Sequence, residues 1–411
     1  MILGLIGHPL GHSWSSQIHT FLIHEKYVKW DLMEDELADF LQKRDFDGIN
    51  VTIPYKQAVI PILDALDPAA KRIGAVNCIV NTHGICTGYN TDAIGFRDMV
   101  LAHNLDVKGK HTALLGTGGA SRAVRYALVQ LGAEVQLVSR SPKEGCITYE
   151  QLYQDADTYQ YLVNVTPVGM YPNTNESVVD LARFSKLEEV IDIVANPLRT
   201  KLMFDAKMLS IPCLGGFEML VRQAFAADEL FTGKKLDPSA SDACMKYLYG
   251  LKRNVVFIGM PTSGKSTLAK MLGKQTNRDV IEMDDEIEKR LGTSIKECFA
   301  TKGEAYFRQV EQKTAEDFQN KEHCIISCGG GVIKNENTMR AVSRNGIVIW
   351  IQKDIRTLFA TNSRPLTGDG TYMKKLYEDR RNLYQKYSDA VVVNDGSLNE
   401  AIEKIKKVAG D

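Results

Sequence analysis

The chain has 411 residues, which at roughly 150 per domain suits two or three domains. Fifty Lys and Arg stand against 51 Asp and Glu, a net charge of −1, so no global basic field draws nucleic acid or an anionic membrane. Apolar residues at 44% and charged residues at 25% are globular values that exclude disorder and collagen, and no apolar run reaches the roughly 18 residues that cross a bilayer.

The N-terminal MILGLIGHPLGH has no basic run ahead of its short apolar stretch and does not read as a secretory signal. Eight cysteines, at 78, 86, 146, 213, 244, 298, 324 and 328, form no CxxC, and the Cys324–Cys328 spacing does not suit zinc. They read as reduced, mostly buried thiols of a cytoplasmic protein. Neither an internal repeat nor a low-complexity tract is present.

In chain order, IGHPLGHSWSSQIH sets Ser13 and Ser15 among glycines and histidines. His8, His12, His19 and His24 have no convincing metal-ligand spacing and no repeating acidic partner. A strand in GINVTIPYK runs into Pro54 and Lys56; GAVNCIV carries Asn77, and GYNTDAIGF carries Asn90 and Asp92. A Lys and an Asp, each beside a turn, form a possible buried acid–base pair, since a carboxylate holds an ammonium poised to pass a proton. Taken singly, Lys56 equally suits a surface cation and Asp92 a helix N-cap, and spacing leaves both readings open.

Apolar β-branched runs alternate with helical patterns almost throughout the chain. VKGKHTALLGTGG, AEVQLVSR, YQYLVNVTP, EEVIDIV, RNVVFIG, EHCIISCGGG and GIVIWIQ read as buried strands, with long amphipathic stretches between many of them. Such alternation predicts α/β architecture, with parallel sheets covered by helices. ALLGTGGASRAVRYAL places Gly116, Gly118, Gly119 and Ala120 between strand and helix, where glycines let a pyrophosphate approach the helix N-terminus. A tight structural turn would use the same residues. The next strand ends at Ser139-Arg140-Ser141. An Arg at that place suits a ribose 2′-phosphate, where an acid would suit the 2′-hydroxyl, and Lys143 adds a second cation, so the pattern favours NADP over NAD.

The segment GKKLDPSASDACMKYLYGLKRN precedes a second phosphate-type turn, and the domain boundary is placed near residues 250–254. VVFIGMPTSGKSTLAKML holds Gly259-x4-Gly264-Lys265-Ser266 followed by Thr267, a full P-loop. Its backbone N–H groups cradle phosphates, Lys265 reaches the β/γ oxygens, and Ser266 ligates Mg²⁺. Beyond it lie Glu282, Asp284 and Asp285 in EMDDEIEKR, Arg308, the triple glycine Gly329-Gly330-Gly331 after a strand, Arg364, Arg380 and Arg381. Separated arginines around one P-loop suit a small anionic substrate and transition-state charge, although each alone also suits a surface ion pair.

These motifs carry two resemblances. GHPLGHSWSSQIH, NVTIPYK, GAVN, YNTDAIGF, GTGGASRA, NVTPVGM and GGFEMLVRQA occur in the order seen in shikimate dehydrogenases, over residues 1–250. The resemblance implies a two-lobed enzyme: a substrate lobe of residues 1–97 completed by helices at about 215–250, and a Rossmann-type NADP lobe of residues 98–214. It implies Lys56 and Asp92 as the catalytic pair and Ser13, Ser15, Thr52, Asn77 and Gln223 as substrate-binding residues. Asn164, Thr166, Met170 and Gly216 would lie near the nicotinamide, with Met219 also lining the cleft. The chain departs from the family at Ala195, where Tyr is frequent, and in the basic loop Ser-Arg-Ser. Residues 254–411 resemble shikimate kinase. That resemblance implies a fold like nucleoside-monophosphate kinases with a mobile lid. Asp284 would contact the reacting hydroxyl, with Arg308, Gly330, Gly331 and Arg380 binding substrate and Arg364 reaching ATP and substrate from the lid. Here Thr262, Glu282 and Ala360 depart from the common pattern.

Together the expectation is a bifunctional enzyme using NADP, ATP and Mg²⁺ on small-molecule substrates, 3-dehydroshikimate and shikimate, with no nucleic-acid or membrane partner. The alternative is a quinate/shikimate dehydrogenase fused to a nucleotide-binding module without kinase activity.

Overall fold

The computed structural model describes residues 1–11, 13–358 and 370–410, with side chains of the last segment from 372 onward. They form two units, Met1–Leu248 and Tyr249–Asp411, divided within the helix Ser239–Lys252.

The first unit holds two six-stranded sheets. In the first, the order is Tyr27–Asp31, Leu3–Gly7, Gly48–Val51, Cys78–Thr82, Ile85–Tyr89 and Ala65–Leu66. Its first three strands are parallel, but Cys78–Thr82 runs antiparallel to both its neighbours. This corrects the expectation of parallel sheets alone. The cause is local: His83 (φ 50°) and Gly84 (φ 84°) make a two-residue hairpin turn, whose left-handed conformations match the twist of antiparallel strands.

The second sheet is parallel throughout, in the order Cys213–Gly215, Glu189–Asp192, Tyr161–Asn164, His111–Leu115, Glu134–Val138 and Cys146–Ile147. Successive residues of one strand serve opposite cores. Leu114, Val163 and Ile191 pack with Val124, Ala127 and Leu128 of the helix Gly119–Gln130. Ala113, Leu115, Leu162 and Val190 pack on the other face with Leu152, Leu202 and Ala206. Two faces buried in this way explain why these strands are continuous apolar runs.

Helices Thr91–Ala102 and Gly216–Thr232 lie in close contact. A Cβ on Gly95 would stand 2.7 Å from Gln223 N and 2.8 Å from Met219 O. Glycine therefore sets how near the second helix comes, and with it the position of Gln223.

The second unit is a five-stranded parallel sheet ordered Asp279–Glu282, Cys324–Ser327, Asn254–Ile258, Gly346–Gln352 and Ala390–Val393. Val255, Phe257, Ile325, Ile349 and Ile351 bury one face against Leu268 and Leu272 of helix Lys265–Thr276 and Ile402 and Ile405 of helix Leu398–Ala409. All eight cysteines are free thiols, six of them buried. Among the described residues no helix is long and apolar enough to cross a membrane.

Candidate active sites

In the first unit, the chain leaves strand Gly48–Val51 into a turn that carries Lys56. Asp92 sits in the first turn of helix Thr91–Ala102. The N-cap is Asn90, whose side chain accepts from Ala93 N at 3.2 Å. Asp92 is thereby left to face Lys56, and its Oδ2 accepts from Lys56 Nζ at 2.6 Å. The two side chains are only 17% and 12% exposed. Asn77 Nδ2 donates to Asp92 Oδ1 at 2.9 Å, and Asn77 Oδ1 accepts from Thr91 N at 2.6 Å. Thr91 Oγ1 in turn donates to Gln223 Oε1 at 3.2 Å. One carboxylate thus has a cation on one oxygen and an amide on the other.

The cavity these residues open into measures about 580 Å³. Ser13, Ser15, Thr52, Lys56, Asn77, Asp92 and Gln223 line it from the substrate lobe and the helix Gly216–Thr232. Ala120, Met170, Ala195 and Gly216 line it as well. Ser13 Oγ donates to Ser15 Oγ at 3.0 Å. Gly216 has no room for a side chain, because a Cβ would fall 2.0 Å from Ile193 O.

Other expected residues stand back from this cavity. Asn164 is fully buried, and its Nδ2 donates to Asp192 Oδ1 at 2.9 Å while its Oδ1 accepts from Thr166 N and Thr166 Oγ1. Thr166 Cγ2 packs where a Gly116 Cβ would stand, 2.8 Å away. Both residues therefore brace the strand end below the glycine turn. Arg140 is exposed and does not line the cavity. It lies near Tyr149, whose hydroxyl burial pushes up to about 12 against the opposing charge of that Arg.

Sequence reasoning missed two groups. Asp192 is fully buried and accepts from Asn164, Thr200 Oγ1 (2.6 Å) and Val194 N (3.1 Å). Desolvation lifts its pKa to about 6. An acid inside the apolar run EEVIDIV was its available signal. His19 is buried with Asp228, Nδ1 to Oδ1 at 2.6 Å, and stacks on Tyr27 at 4.2 Å between centroids. Tyr27 OH donates to Asn50 Oδ1, and Asn50 Nδ2 to Asn77 O. His8 pairs with Asp31 at 2.7 Å. Two of the four histidines thus hold carboxylates; His12 lies outside the described residues.

In the second unit, the P-loop turns through Gly259 (φ 149°), Thr262 (φ 65°) and Gly264 (φ 95°). A β-branched residue in the left-handed region is strained, so Thr262 makes this loop a costlier version of a glycine turn. Asn394 Nδ2 supports it by donating to Ser263 O at 2.8 Å. Lys265 Nζ donates to Gly259 O and Met260 O. Ser266 Oγ donates to Glu282 Oε2 at 2.9 Å. Thr267 is exposed in the first helical turn.

The triple glycine is a place of close approach. A Cβ on Gly329 would meet Asp284 Oδ1 at 2.6 Å, on Gly330 Pro261 Cδ at 2.8 Å, and on Gly331 Arg308 Nη2 at 2.5 Å. Arg380 Nη1 and Tyr384 OH both donate to Gly330 O, at 2.8 and 2.5 Å. Arg308 is held by Glu311 at 2.7 Å and Glu304 at 3.1 Å, and burial raises the Glu311 carboxyl. Asp284, Arg308, Gly330, Gly331, Arg380 and the P-loop are therefore gathered in one place. Arg364 and Ala360 lie outside the described residues.

The model of the shikimate dehydrogenase substrate-binding domain matches residues 5–79, and that of shikimate kinase matches residues 261–409. A shikimate dehydrogenase (NADP(+)) of Moorella thermoacetica is 32% identical over 291 residues, covering 64% of this chain and 97% of that protein. The chain belongs to the shikimate dehydrogenase family, and carries a shikimate kinase domain behind it. Among solved structures, Thermus thermophilus shikimate 5-dehydrogenase in complex with NADP(H) and shikimate shares 33% identity at a TM-score of 0.55, covering 60% of this chain and 99% of that one. Quinate dehydrogenase from Corynebacterium glutamicum in complex with NAD shares 29% identity at 0.55, covering 61% and 99%.

The dehydrogenase unit has room for a dinucleotide at its glycine turn. Gly116 has φ 115°, a Cβ on Gly118 would meet nothing within 4 Å, and a Cβ on Gly119 would meet Lys56 Cδ at 3.9 Å. Side chains there would fill the space above the turn. In the kinase unit, Glu282 Oε1 is buried with no hydrogen-bond partner among the described residues. An orphaned carboxylate oxygen beside Ser266 fits a hard divalent cation such as Mg²⁺.

Proposed function

We propose that this chain reduces 3-dehydroshikimate to shikimate in its first unit and phosphorylates the 3-hydroxyl of shikimate in its second. The observation that carries the first step is the Lys56 Nζ–Asp92 Oδ2 contact of 2.6 Å on the wall of a cavity rimmed by hydroxyl and amide side chains. NADPH when bound supplies the hydride there, and ATP with Mg²⁺ supplies the phosphoryl group in the second unit. Lys56 Nζ donates its proton to the substrate oxygen that was the ketone, and Asp92 holds the ammonium in place. Such acid catalysis is worth roughly 10²–10⁴ in rate. Ser13, Ser15, Thr52, Asn77 and Gln223 suit the hydroxyls and carboxylate of a polyol acid, because hydrogen-bonding sites reject analogues lacking those groups.

In the second unit Asp284 receives the proton of the attacking hydroxyl, and Arg308 and Arg380 hold the substrate carboxylate. Lys265 takes the β/γ phosphate oxygens, while Ser266 and Glu282 hold Mg²⁺. Free thiols throughout suit a reducing, cytoplasmic setting.

The test is shikimate-dependent ADP release with Mg-ATP beside a Lys265→Ala chain, followed by NADP⁺ reduction with shikimate beside Lys56→Ala. Quinate and NAD⁺ serve as comparison arms. A chain that binds ATP but releases no ADP on adding shikimate sinks the kinase reading. Faster turnover with quinate and NAD⁺ sinks the dehydrogenase one.

A further inference from the structure

The His19–Asp228 pair takes no part in the reaction described above. Both side chains are fully buried, and neither His19 Nε2 nor Asp228 Oδ2 has a hydrogen-bond partner among the described residues. A polar pair in such a place adds little stability, because desolvation offsets its attraction and well-packed apolar side chains often hold a core as well. Its distinctive effect is on position. His19 ties helix Ser15–Ile23 to Asp228 of helix Gly216–Thr232. The imidazole lies nearly flat on Tyr27, with 10° between the planes, and Phe231 stands 6.0 Å from its centre. The pair therefore sets the plane of the Tyr27 ring.

Tyr27 opens strand Tyr27–Asp31, and strand Leu3–Gly7 lies between it and strand Gly48–Val51. Its hydroxyl crosses that central strand to reach Asn50 Oδ1 at 2.7 Å. Asn77 O can only accept, so the nitrogen of the Asn50 amide faces it, at 3.3 Å, and the oxygen faces Tyr27. Burial, and after it the Asp228 carboxylate, holds the Tyr27 hydroxyl well above its ordinary pKa, so it keeps the proton it donates. Asn50 also lines the substrate cavity. From Asn77 the contacts run on to Asp92: Nδ2 donates to Oδ1 at 2.9 Å, while Asp92 Oδ2 holds Lys56.

We infer that Tyr27 is a positioning residue of the dehydrogenase: its hydroxyl fixes the Asn50 amide, and through Asn50 and Asn77 it fixes the Asp92 carboxylate that aims Lys56. This rests on the dehydrogenase reading above. Without the hydroxyl, Asn50 Oδ1 is left in a buried place with no donor, and the amide turns to find one. Asn77 then loses a donor at its carbonyl, and its own amide no longer holds Asp92 in a single orientation.

The experiment follows shikimate-dependent NADP⁺ reduction by the full chain. Tyr27→Phe deletes one oxygen and keeps the ring on His19. It should lower kcat about tenfold and change KM for shikimate less than about twofold, the split expected when the aim of the acid is lost and binding is kept. Asn50→Ala should lower kcat at least as far, and adding Tyr27→Phe to it should do nothing more, because both act in one chain of contacts. A merely structural hydroxyl would lower the melting temperature and leave kcat unchanged. Wild-type kcat in either single variant, a loss confined to KM, or the same tenfold loss from Tyr27→Phe in both backgrounds would each overturn the assignment. A wild-type chain that reduces no NADP⁺ with shikimate while its kinase works would instead remove the underlying dehydrogenase reading.

Discussion

Gly95→Ala tests whether helix packing positions the substrate site. The new methyl would lie 2.7 Å from Gln223 N, 2.8 Å from Gln223 Cβ and 2.8 Å from Met219 O. Two of those three atoms are backbone, so no rotamer change relieves the clash, and the helix Gly216–Thr232 must move by more than half an ångström. Overpacking of this kind costs about 1–3 kcal/mol, and replacing a mid-helix glycine returns up to about 1 kcal/mol. A net loss of about 1–2 kcal/mol should lower the melting temperature of the dehydrogenase unit by about 2–8 °C. The same shift carries Gln223 away from Thr91 and Asn77, so KM for shikimate should rise more than kcat falls. Shikimate-dependent ADP release, made by the other unit, is the internal control and should hold. Melting and KM both unchanged would refute the claim that this contact sets Gln223.

Three further outcomes are expected. Lys56→Ala should lower the dehydrogenase kcat by about 10²–10⁴ with little change in KM, measured by shikimate-dependent NADP⁺ reduction; a loss confined to KM would make Lys56 a binding residue only. Asp192 keeps its proton to about pH 6 when folded but only to about 3.8 when unfolded. The unfolded state therefore releases that proton first, and stability falls as pH rises from about 4 to 6, by on the order of 2–3 kcal/mol. Asp192→Asn should lack this fall, so the wild-type-minus-variant difference from denaturant melts should decline over that range, and a flat difference would count against it. Asn394→Ala leaves Ser263 O buried without its donor, which should cost about 1–3 kcal/mol and weaken ATP binding; calorimetry showing unchanged ATP affinity would refute its role as a support of the P-loop.

The chemistry-bearing residues were legible in the sequence wherever a short motif carries its own geometry. A glycine turn between strand and helix, and Gly259-x4-Gly264-Lys265-Ser266 above all, specify phosphate sites because backbone conformation and helix dipole are local properties. Apolar runs such as GIVIWIQ announced strands buried on both faces for the same reason.

What tertiary structure decided is everything that depends on partners distant in the chain. Asp92 suited an N-cap in the sequence; the fold gave the cap to Asn90 and turned Asp92 onto a lysine 36 residues away. His19 read as an unplaced histidine until Asp228, 209 residues on, proved to hold it in a buried core. The antiparallel hairpin at His83–Gly84 broke an otherwise parallel expectation through two left-handed residues. Motif spacing records what one stretch of backbone does. Burial, pairing and charge at a cavity wall are sums over segments that only folding brings together.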